Sequence, residues 1–99
     1  MNRREFEALS LEATEDVFAF AKFAQQSEDA FLSSTNVGAL RRYQNAWLEV
    51  EIINAVALEA WEADGRPVSW DDRWREFYQA SATEAVKVLR SAAIGLMAQ

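Results

Sequence analysis

A chain of 99 residues, 51% of them hydrophobic and carrying a net charge of −6, has room for one domain and little core to spare. It contains neither Cys nor His. Their absence excludes disulfides, thiol nucleophiles, ordinary zinc sites and every catalytic triad that needs an imidazole base.

One Pro and three Gly in a chain rich in Ala, Glu and Leu point to helices, and four Trp favour a packed core over disorder. Arg3 and Arg4 are followed at once by Glu5, so no apolar signal stretch is predicted. The longest apolar region, residues 52–60, is broken by Asn54 and Glu59 and is too short to cross a bilayer. The expected compartment is the cytoplasm. Charge is uneven: residues 5–40 hold seven acids against Lys22 alone. Such a surface repels nucleic acid and acidic membranes, so neither is an expected partner. A solvated helix face explains it more simply than mimicry of nucleic acid.

Asn2 with Glu5 forms a capping-box pattern that opens the first element. Phe6, Leu9, Ala13, Val17, Phe20 and Ala24 then recur at helical spacing, widened by Phe18 and Phe23, which predicts one helix over residues 3–26. Residues 27–36 break it, ending in Ser33, Ser34, Thr35 and Asn36, whose side chains compete with helix and make good caps. A short turn over 28–32 would let Phe31 and Leu32 plug the end of a bundle.

A second helix is predicted over residues 37–63. Leu40, Tyr43, Trp47, Val50, Asn54, Ala57 and Trp61 step by three and four, while Leu48, Ile52, Ile53, Val56 and Leu58 lie off that seam. Apolar on several sides, it reads as the central helix. Gly65 and Pro67 end it. Ser69 is the predicted cap of a third helix reaching about residue 97, with Asp71 and Asp72 in its first turn. Its stripe is Trp70, Trp74, Phe77, Tyr78, Ser81, Ala85, Val88, Ala92 and Leu96, and Trp61 is expected to meet Trp70 and Trp74 beside the turn.

The expected fold is therefore all-α: one domain, an antiparallel bundle of three main helices made from a long αα-hairpin and an N-terminal helix. At 1.5 Å per residue the central helix is about 40 Å long, more than the roughly 34 Å diameter of a compact globule of this size. Its apolar faces exceed what two neighbours can cover, so completion by homo-oligomerisation is expected. Trp47, Asn54 and Trp61 are the candidate oligomer-packing residues, Asn54 as a register-setting amide.

Two clusters are candidates for a ligand or partner. Arg41, Arg42 and Tyr43 sit near a helix start, where an anion could meet free amides, although salt bridges to the acidic first helix explain the arginines as well. Trp70, Arg73, Trp74 and Arg75 combine the residue types that dominate interface hot spots, although core packing suits the two indoles. The carboxylates Glu49, Glu51, Glu59, Glu62 and Asp64 lack the paired spacing of a magnesium site. Ser91 and Gly95 would permit close helix approach. No catalytic residue, metal or cofactor is predicted. The favoured reading is a small acidic interaction protein, an adaptor, inhibitor or regulatory subunit, whose partners are itself and another protein. That composition class is shared with many bacterial and phage regulators. The alternatives are a binder of a nucleotide or other anion at a subunit interface and, more weakly, a magnesium-dependent hydrolase.

Overall fold

The computed structural model describes residues 2–97, and every regular element among them is an α-helix. There are five, in the order α1 (Arg3–Glu12), α2 (Val17–Ser27), α3 (Val37–Ala63), α4 (Asp71–Phe77) and α5 (Gln79–Met97). No helix is long and apolar enough to cross a membrane.

The capping box opens α1: Asn2 Oδ1 accepts from the Glu5 amide at 2.8 Å, and Asn2 Nδ2 donates to Glu5 Oε1 at 2.9 Å. The expected single helix over 3–26 is two helices. Residues 13–16 leave the helix, and Asp16, extended at φ −156° and ψ 175°, caps α2 by accepting from the Ala19 amide at 2.7 Å. Phe6, Ala13, Val17, Phe20 and Ala24 are all buried on both sides of the break. The apolar period therefore runs through it undisturbed. Residues 28–34 form turns in which Phe31 packs on Phe6 and Tyr43, whereas Leu32 is more than half exposed and plugs nothing.

Helix α3 has the predicted bounds. Asn36 caps it by accepting from Ala39 N, and a Schellman turn closes it, with Gly65 N donating to Glu62 O and Arg66 N to Trp61 O. Gly65 takes φ 90°, a left-handed conformation that glycine adopts without a Cβ penalty. The expected third helix is also two. Ser69 does not cap it; Trp70 occupies the cap position without a side-chain bond, and Tyr78 at φ −127° breaks the run. The stripe shifts there. Ala82, Ala85, Val86, Leu89, Ala93 and Leu96 are buried, while Phe77, Ser81 and Val88 turn outward. Gly95 takes no part in a close helix crossing, since a Cβ added there would meet nothing within 4 Å.

Helices α2 and α5 lie along α3, α1 touches α2 and α5, and α4 packs on α5. Three contacts fix α2 antiparallel to α3: Tyr43 Oη donates to Ser27 O at 2.6 Å, Trp47 Nε1 to Ala24 O at 2.9 Å, and Phe18 meets Trp61 edge-on at 5.3 Å. One end of the core is Phe6 among Phe23, Phe31 and Tyr43. The other is Trp74 against Phe20 and Tyr78, with Trp70 stacked on Tyr78. The expected meeting of Trp61 with Trp70 and Trp74 gives way to this arrangement, because the two breaks turn Phe18 and Tyr78 towards the indoles. The resulting body measures 43 × 21 × 19 Å, as long as α3 itself.

Asp16→Ala removes the α2 cap and should cost about 1 kcal/mol, which lowers the melting temperature by roughly 4–8 °C in a domain this small. Ser69→Ala, which removes no cap, should leave a circular-dichroism melt unchanged.

Candidate interaction surface

The two clusters singled out in the sequence divide into rings that are buried and guanidinium groups that are not. Trp74 is completely buried and donates Nε1 to Thr14 O at 2.9 Å; Trp70 is buried and donates to Asp64 Oδ2 at 2.8 Å. Tyr43 is equally enclosed, and burial pushes its phenol well above the ordinary value near 10. None of the three offers a ring face for a ligand to stack on. Arg73 lies 3.7 Å from Asp64 and over the Phe77 ring, and Arg75 lies 2.7 Å from Asp72. Both arginines are thus engaged locally, in exposed pairs of the kind that contribute little stability.

Arg41 and Arg42 are different. Both are exposed, and among the described residues neither forms an ion pair. The expected salt bridges to the acidic first segment are absent, because α2 lies along the opposite flank of α3 from Arg42 and beside Trp47 rather than Arg41. Trp47, Asn54 and Trp61 all face α2 within the chain: Trp47 and Trp61 as described above, Asn54 in a groove shared with Ala21, Gln25 and Leu58. Trp61 also donates Nε1 to Pro67 O. These three residues join α3 to its own neighbours, with Trp47 and Trp61 still partly exposed beside the groove.

The carboxylates scatter as well. Glu49 borders the α5 side with Ser81 and Glu84, Glu51 borders the α2 side, and Asp64 is held by Trp70 and Arg73. Among the described residues no three acidic side chains gather closely enough to hold a metal ion. A surface groove of about 600 Å³ between α1 and the end of α2 is lined by Glu5, Ala8, Leu9, Gln26, Asp29 and Ala30. It offers no base or nucleophile beyond solvated carboxylates.

The outer side of α3 carries a row of exposed apolar side chains. Leu48, Ile52 and Val56 follow one another at single-turn intervals along α3 and are 51%, 57% and 52% exposed. At 100° per residue they point away from buried Val50, Asn54 and Ala57. Helices α2 and α5 take the two flanks of α3, and this outer side belongs to neither. Val88 of α5, also half exposed, borders it across the groove that Ile53 and Ala85 share. Arg41 and Asn45 continue the same stripe towards the helix start and Glu59 towards its end, all three exposed. The signal was present in the sequence as the residues lying off the main seam. Exposed apolar side chains scattered singly need no explanation, whereas Leu48, Ile52 and Val56 lie in one contiguous row.

No family profile, curated protein or solved structure matches this chain. Its function has to be read from the surface itself.

Asn54 adds a separate consequence. Its Oδ1 is the only buried side-chain polar atom among the described residues without a hydrogen-bond partner. An orphaned buried acceptor costs about 1–3 kcal/mol, and an apolar replacement of similar shape removes that cost. Asn54→Leu should therefore raise the urea midpoint by an amount worth about 1 kcal/mol or more. A lower midpoint would mean that the amide is satisfied in solution.

Proposed function

We propose that this chain is a non-enzymatic interaction protein, an adaptor, inhibitor or regulatory subunit, that works through protein–protein contacts made by the outer face of α3. The row of Leu48, Ile52 and Val56, half exposed on the central helix, carries the reading. In this view the three arms, α1 with α2, α3, and α4 with α5, make an antiparallel bundle, and a partner supplies its fourth side. Side chains already about half buried gain roughly half of the 1.5–3 kcal/mol that full burial of each is worth. A polar rim has to complete such an interface. Arg41, Asn45 and Glu59 are placed to form that rim.

The anion-binding alternative draws on one observation, that Arg41 and Arg42 form no ion pair among the described residues. It loses the aromatic platform it needs, because Tyr43 is enclosed and hydrogen-bonded to Ser27.

Native and denaturing mass spectra of the wild type and of Ile52→Glu separate the two. The proposal expects wild-type species at integral multiples of the chain mass with no adduct, and a single chain with an unchanged helical spectrum for Ile52→Glu. An adduct of nucleotide or phosphate mass, carried by both proteins and lost on denaturation, would favour the anion binder. Single chains for both would leave the outer face without a role in self-contact.

A further inference from the structure

We infer that the occupant of the outer α3 face is a second copy of the chain, docked antiparallel about a two-fold axis that crosses the face between Leu48 and Ile52. The inference rests on the interaction-protein reading above and adds the partner and its register.

The order of side chains along the stripe sets the register. At 100° per residue, Arg41 and Glu59 fall in the same direction on α3, one beyond each end of the apolar row. They are separated by about 27 Å along the helix at 1.5 Å per residue, and they lie equally far from the level midway between Leu48 and Ile52. A perpendicular two-fold at that level brings Leu48 of one copy against Ile52 of the other. It also brings Arg41 of each copy against Glu59 of its partner, twice, once at each end. A closed two-fold contact requires a self-complementary patch, and this one is complementary at its Arg41 and Glu59 ends. Among the described residues neither Arg41 nor Glu59 has an ion partner.

The stripe itself holds one cation and one anion with apolar residues between them. Glu49 and Glu51 border the row at the level of the axis, so carboxylates of the two copies lie near one another at the edge of the contact. Small Ala55 and amide-bearing Asn45, both exposed, face each other across the same axis and allow the two helices to approach.

The test is charge exchange, read as the dimerisation constant by sedimentation equilibrium at low salt. Arg41→Glu alone and Glu59→Arg alone each replace two attractions per dimer by two repulsions, and each should weaken association about tenfold or more. Combining both substitutions in one chain should return the constant to within about threefold of wild type. Mixing the two single variants should restore association as well, because each then offers the charge that the other lacks. High salt should shrink all these differences, since exposed pairs are screened beyond about a Debye length. Circular-dichroism melts establish that each variant is folded.

A wild-type dimer that Ile52→Glu dissociates, with the single charge variants unchanged, would overturn the antiparallel register and leave the outer face as the contact. A doubly substituted chain as weak as the single variants would overturn it too. A wild-type protein that stays a single chain at every concentration would overturn the second copy as occupant. In that case the interaction-protein reading would stand or fall on a different partner.

Discussion

The carbonyl of Thr14 holds the two halves of this molecule together. It lies in the break between α1 and α2, where no helical amide returns to it, and it accepts from both Trp74 Nε1 and Gln79 Nε2 at 2.9 Å. Those donors flank the break between α4 and α5. Each break frees the backbone geometry that the other needs: α1 and α2 can bend around the core only if the carbonyl exposed at their junction is satisfied, and a buried unpaired carbonyl would cost about 1–3 kcal/mol. Trp74 also fills the space beneath the bend, in contact with Phe20 and Tyr78. The two irregular points of the fold are therefore one structural feature.

This feature fixes what surrounds α3. With α2 turned antiparallel along one flank and α5 along the other, Trp47 and Tyr43 can reach the last carbonyls of α2, and Ala57 and Val50 close the centre. Both flanks of α3 are then occupied and its fourth side is not. Among the described residues no further helix lies there. Leu48, Ile52 and Val56 are left on the outside for a reason of geometry, and the elongated 43 Å body presents them along its full-length helix.

Much of this was legible in the residues. The bounds of α3 followed from Asn36 at its start and Gly65 at its end, both residue types with a direct backbone reason to be there. The excess of apolar faces on that helix also followed from its pattern. The breaks did not. At residues 13–16 the apolar spacing is the same on both sides, so periodicity could not register the interruption; only Asp16 as a cap marked it, and a cap is easily read as a helical surface acid. At Tyr78 no breaker residue exists at all, and the interruption falls where Trp70 and Trp74 stack on the tyrosine ring. The aromatic and arginine clusters were conspicuous as residue types, yet ring burial decides their role and sequence spacing does not. Trp70, Trp74 and Tyr43 are core residues with satisfied polar atoms. The plainer row beside them is the exposed one.

The chain has no cysteine, so a single introduced thiol reports on one place only. Ile52→Cys on the outer α3 face and Thr83→Cys, exposed on α5 beside α1, can be treated in dilute solution with a short bis-maleimide and resolved by denaturing electrophoresis. The account predicts that Ile52→Cys links into covalent dimers in high yield while Thr83→Cys remains a single chain. Equal and low yields from the two positions would contradict the claim that copies of this protein meet on the outer face of α3.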